Sequence, residues 1–170
     1  MNPSTPGHCY ALFPYREPVV SMIKKLKFKH DLSYANALAA LLISQIKQEW
    51  YQNKSLPDLI IPVPLHTSRL MERGFNQALE IGRYLGRHLD IALDARSVTR
   101  NKPTLAQSGL SKTARAANMR NAFSCQTRFD GLSIAILDDV VTTGQTVTEL
   151  SRIISQQGAK HIDIWCCARA

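Results

Sequence analysis

The segment Ile134-Ala-Ile-Leu-Asp-Asp-Val-Val-Thr-Thr-Gly-Gln-Thr146 sets out an apolar run, two carboxylates, a Thr/Gly turn and a helix-forming stretch, in that order. Such a run reads as a buried strand of a parallel sheet, and open α/β sheets bind ligands at the carboxyl ends of their strands. Asp138 and Asp139 are acceptors there, suited to sugar hydroxyls and, directly or through water, to Mg2+. Thr142, Thr143, Gly144, Gln145 and Thr146 offer backbone N–H groups and hydroxyls at a helix N-terminus, which suits a phosphate monoester. Taken singly these are strand-end acids and a capping threonine. Their order is what points to a site.

A second block has complementary chemistry. Leu59-Ile-Ile-Pro-Val-Pro64 reads as a strand that its prolines terminate. It leads into Leu65-His-Thr-Ser-Arg-Leu-Met-Glu-Arg-Gly-Phe-Asn-Gln77. Arg69 and Arg73 can clamp a pyrophosphate through charge-assisted hydrogen bonds. Gly74 lets backbone N–H groups turn inward, and Asn76 is placed to contact phosphate or metal. His66 reads as a loop histidine.

The charge has an address. The chain of 170 residues carries a net +8. Between Ala95 and Phe129 there is no acid, and Arg96, Arg100, Lys102, Lys112, Arg115, Arg120 and Arg128 sum to +7. Lys24, Lys25, Lys27 and Lys29 form a second cluster on an expected amphipathic helix, whose simplest reading is a solvated face. The acid-free stretch suits a polyanion, either the phosphates of a small ligand or a nucleic-acid backbone. Phe123 adds a stacking surface if exposed.

These sites need a scaffold. The expected order is a loose polar lead-in over 1–15, then one domain over 16–170 with helices at 18–28, 34–50, 74–89, 112–121 and 144–157. Strands are expected at 58–63, 95–99, 133–137 and 161–167. Strand–helix–strand spacing of this kind implies right-handed crossovers and an α/β fold, a parallel twisted sheet flanked by helices. No run approaches the roughly 18–20 apolar residues of a membrane span, so no membrane insertion is expected. Cys9, Cys125, Cys166 and Cys167 contain no CxxC pair, so zinc is not expected and buried, reduced thiols are. The start shows no signal peptide, and the reading is a cytoplasmic protein.

The Asp-Asp-x-x-Thr-Thr-Gly-x-Thr segment resembles the ribose-5-phosphate loop of type I phosphoribosyltransferases. The resemblance implies that Asp138 and Asp139 bind the ribose hydroxyls of phosphoribosyl pyrophosphate with Mg2+, and that Thr142–Thr146 hold the 5-phosphate. It also implies a mobile hood or loop that closes over the pyrophosphate, where Arg100, Lys102, Lys112 and Arg115 fall. Purine enzymes of that family commonly carry a carboxylate three residues after the second acid; here the position is Thr142.

Taken with Phe13-Pro-Tyr15, Lys25-Leu-Lys-Phe28, Arg73-Gly-Phe-Asn-Gln77 and Arg115-Ala-Ala-Asn118, the chain is similar to the ComF/GntX family of competence-associated proteins. That resemblance implies a role in DNA uptake for natural transformation, with single-stranded DNA and other competence proteins as partners. Two alternatives stand beside it. One is a conventional phosphoribosyltransferase acting on a small-molecule acceptor. The other is a non-catalytic protein that uses its basic surface alone.

Overall fold

The computed structural model describes residues 7–29, 31–102 and 121–170. Five strands form one sheet in the order β1-β7-β6-β2-β3, and every pairing is parallel. They are β1 (Cys9–Pro14), β2 (Leu59–Pro62), β3 (Ala92–Leu93), β6 (Ser133–Val141) and β7 (His161–Arg169). A separate antiparallel pair joins β4 (Val98–Arg100) to β5 (Phe123–Cys125). The helices are α1 (Val19–Lys29), α2 (Ser33–Gln45), α3 (Thr67–Arg73), α4 (Gln77–Leu89) and α5 (Gln145–Gln156). A π-helical turn over Ile46–Trp50 continues α2.

Alternation along β6 explains the layering. Ala135 and Leu137 join a core that α1, α2 and α4 supply with Ile23, Leu26, Leu38, Leu42, Ile81 and Leu85. Ile134 and Ile136 join the opposite core, with Val147, Leu150 and Ile154 of α5. Both faces of the strand are buried, so its sequence is an unbroken apolar run. This is the expected α/β architecture.

Several boundaries differ from expectation. Residues 9–14, expected in a loose lead-in, form β1, paired along the edge of β7 from Cys9–Ile164 to Pro14–Arg169. The helix expected at 74–89 starts at Gln77 as α4, and the stretch before it, for which no helix was expected, forms α3. Gly74 ends α3 in the left-handed region at φ 72°, and its N–H is donated to the Leu70 carbonyl. The expected strand at 95–99 shifts to β4, at 98–100. The expected helix at 112–121 lies almost wholly in residues 103–120, outside the described residues. Cys166 and Cys167 are buried free thiols, as expected. Among the described residues no helix is long and apolar enough to cross a membrane.

Candidate functional site

The sequence places Asp138 and Asp139 at the end of a strand, whereas β6 runs through both of them to Val141. The cause is its partner: β7 extends to Arg169, so Asp138 lies opposite Cys166 and Val141 opposite Arg169. Each acid turns one oxygen back on its own strand. Asp138 Oδ1 accepts from the Asp139 N–H at 2.8 Å, and Asp139 Oδ1 accepts from the Val140 N–H at 2.9 Å. Asp139 is only 8 % exposed. Its Oδ2 lies 2.5 Å from Lys27 Nζ, which α1 brings across the same sheet face. Desolvation, and then the neighbouring charge of Asp139, push the Asp138 carboxyl well above the ordinary carboxylate range, while Lys27 opposes them.

After Val141 the chain turns through Thr142 and Thr143, both exposed, to Gly144 at φ 76°. The left-handed conformation there is one that a β-carbon disfavours. Gly144 is the N-cap of α5, so no side-chain hydrogen bond caps that helix start. Its first N–H groups thus face the turn with the positive end of the helix dipole behind them.

Two cations from other elements complete the surround. Arg100 ends β4, and its guanidinium lies 5.4 Å from the centre of the Phe123 ring. Burial lowers the Arg100 pKa, the charge of Asp138 raises it, and Arg69 of α3 lowers it further. Arg69, Arg100 and Asp138 therefore share one electrostatic neighbourhood. Arg73, one turn beyond Arg69, donates from Nη1 to Gln77 Oε1 at 3.0 Å and lies 6.0 Å from the Phe28 ring centre. Gln77 is 2 % exposed, and its Nε2 finds no acceptor among the described residues.

The site residues read from the sequence fall into distinct groups. Asp138, Arg69 and Arg100 share one neighbourhood, Asp139 beside Asp138 on β6 turns to Lys27 instead, and Thr142–Thr146 follow directly on β6. Arg100 was expected in a loop and belongs instead to a half-buried strand end. Phe123 is 4 % exposed, so it packs against Arg100 rather than offering a stacking surface. Asn76 has a structural duty. It caps α4 by accepting from the Leu79 N–H, and it donates to the Val63 carbonyl. His66 caps α3 through its ring nitrogen. Lys102 is exposed beyond β4. Lys112 and Arg115 lie outside the described residues.

Lys27 was missed as a site residue. Its signal was present, since α1 buries Val19, Ile23 and Leu26. Lys27 follows Ile23 by one turn and so belongs to the edge of the buried stripe, unlike Lys24 and Lys25.

No protein-family model matches the chain. Among solved structures it is similar to a purine phosphoribosyltransferase from Pyrococcus horikoshii, with a TM-score of 0.42 and 23 % identity over 81 % of this chain and 72 % of that one. It is also similar to a hypoxanthine phosphoribosyltransferase from Staphylococcus aureus, with a TM-score of 0.45 and 11 % identity over 79 % and 62 %. Among curated proteins, DNA utilization protein YhgH of Salmonella typhimurium is 36 % identical over 156 residues, 91 % of this chain and 69 % of the relative. Competence protein F of Haemophilus influenzae is 38 % identical over 161 residues, 92 % of this chain and 70 % of the relative. Competence protein ComFC of Bacillus subtilis is 26 % identical over 151 residues, 87 % of this chain and 58 % of the relative. Identity of this order, sustained along nine-tenths of its length, places the chain in the family of YhgH and competence protein F.

Proposed function

We propose that this chain binds phosphoribosyl pyrophosphate with Mg2+ at the carboxyl end of β6, and that it handles incoming single-stranded DNA in the cytoplasm during natural transformation. The observation that carries the reading is the conjunction at one sheet end of a carboxylate pair, a glycine-started helix and the guanidinium groups of Arg69 and Arg100. The names of the relatives, a DNA utilization protein and competence proteins, support the DNA half.

In this reading the carboxyl groups of Asp138 and Asp139 hold the ribose hydroxyls. Thr142, Thr143, Gly144, Gln145 and Thr146 receive the 5-phosphate on backbone N–H groups and hydroxyls. Arg69 and Arg73 take the pyrophosphate. The donor set fits Mg2+ in one manner only. Among the described residues no cluster of three or more metal-binding side chains exists, and two adjacent carboxylates are what Mg2+ uses when substrate oxygens and water complete its shell. The ion would neutralise the pyrophosphate charge. Lys27 already balances Asp139, so sugar or hydrated metal must share that oxygen with it or displace it.

Calorimetric titration with phosphoribosyl pyrophosphate and Mg2+ tests the small-ligand half. Saturable binding is expected in the wild type, and its loss in Asp138→Asn plus Asp139→Asn. Absence of binding in the wild type, or unchanged binding in the variant, refutes the assignment. Anisotropy of a labelled oligonucleotide tests the DNA half separately.

A further inference from the structure

The C-terminal end of α1 carries a face that the β6 site does not use. Lys27 points inward to Asp139, whereas its neighbour Phe28 is 69 % exposed. An aromatic ring left that far in water is unusual for a residue flanked by a helix core. Arg73 of α3 lies 6.0 Å from the ring centre, which makes a cation–π pair out of two elements. Leu70, 42 % exposed, stands one turn before Arg73, and Met71 beside it is 78 % exposed. Lys24 and Lys29 are exposed and make no ion pair among the described residues. No acid interrupts α1. Glu72 of α3 is an exposed acid beside Met71, but Lys24, Lys29 and Arg73 leave the ridge net positive, which suits a polyanion with flat apolar faces, and lysine is depleted at protein interfaces.

We propose that Phe28, backed by Arg73 and flanked by Lys24 and Lys29, is a base-stacking station for single-stranded DNA at the rim of the Asp138–Asp139 site. Unpaired bases can lie on Phe28 because their faces are free, whereas in a duplex those faces are occupied by stacking. Phosphates on either side then meet the lysines. From Arg73 the cationic path continues one turn along α3 to Arg69, which shares its electrostatic neighbourhood with Arg100 and Asp138. A strand held on Phe28 is thereby aimed at the β6 site. The inference rests on the DNA half of the function proposed above and gives it a location.

The test measures affinity for a labelled unstructured oligonucleotide across a salt series, alongside calorimetry with phosphoribosyl pyrophosphate and Mg2+. Phe28→Ala should weaken DNA binding about tenfold, Phe28→Trp should restore it, and small-ligand affinity should hold. Because Phe28 is largely exposed, thermal melts should show Phe28→Ala as stable as the wild type. Lys24→Gln plus Lys29→Gln should lower the slope of log affinity against log salt by about 1.4, the share of two phosphate contacts on a single strand.

Wild-type DNA binding that is indifferent to all these variants overturns the location and leaves the proposed function standing. A wild type that binds no single-stranded DNA overturns both the location and the DNA half. Equal affinity for duplex refutes stacking. If Phe28→Ala instead breaks self-association and leaves DNA affinity unchanged, the face is a protein interface and the inference falls.

Discussion

Removing the ammonium of Lys27 from Asp139 asks how firmly α1 is tied to the carboxylate pair. The two charges are 2.5 Å apart, with side-chain exposures of 20 % and 12 %. At the effective dielectric of a protein site, opposite charges about 4 Å apart between centres attract by about 4 kcal/mol, from which desolvation of both groups is subtracted. A fully exposed pair is worth about 0–1 kcal/mol, while deleting one partner of a buried pair costs about 3–5. Residual exposure puts Lys27–Asp139 towards the lower end of the buried range.

Lys27→Met keeps the apolar stem and should cost about 2–3 kcal/mol, because it strands a carboxylate on the sheet face. Asp139→Asn should cost about as much. The double variant should be less destabilised than the sum, with a coupling energy of about 2 kcal/mol. Urea unfolding at fixed pH and ionic strength, with unchanged m-values, supplies the four numbers. A coupling below about 0.5 kcal/mol would show the pair to be screened as an ordinary surface bridge, and α1 would then owe its position to the burial of Val19, Ile23 and Leu26.

Two further expectations concern groups in the same sheet. Asp138 keeps a proton when folded that the unfolded chain releases above its ordinary value of 3.8. Its contribution to stability is therefore full at low pH and is lost as pH rises towards about 8. Asp138→Asn should remove that slope, at most ~1.4 kcal/mol per pH unit, and gain on the wild type as pH rises. Parallel stability–pH curves from denaturant titrations would show that Asp138 behaves as a surface acid. Tyr51 donates to Asp163 Oδ2 at 2.5 Å and accepts from Trp165 Nε1 at 3.2 Å, and Asp163 is 2 % exposed. Tyr51→Phe should lower stability by about 2 kcal/mol while ligand titrations stay unchanged, since Asp163 lies three residues before Cys166, the partner of Asp138. A loss under about 0.5 kcal/mol would mean that water replaces the phenol at Asp163.

The β6–turn–α5 unit was legible because its information is contiguous. A buried strand, its polar end and the next helix start follow one another, and each local preference agrees with the final arrangement. The same holds for α4, whose inner face shows Ala78, Gly82, Leu85 and Leu89 at helical spacing. What escaped reading depends on distant partners. Cys9–Pro14 has little to mark it as a strand except the edge of β7 waiting for it. β6 outruns its apolar stretch because β7 keeps pairing with it. Lys27 was one lysine among four until the fold set Asp139 beside it. Phe123 read equally well as a surface aromatic, and only the packing of α5 against β5 decides otherwise.

The sheet order has a consequence for how the molecule is made. β7 lies between β1 and β6, yet it follows both of them, and the other two strands of the sheet, in chain order. Until His161–Arg169 has emerged, β1 has nothing to pair with and one whole edge of β6 is bare. The nascent chain thus holds Ile134, Ile136 and their neighbours beside an open strand edge, a state prone to misassociation. The sheet closes only once β7 has been made, in a long-range step that seats it between two elements made earlier. A translation arrest anywhere before residue 161 should therefore yield a chain that aggregates, rather than one that folds part of the way.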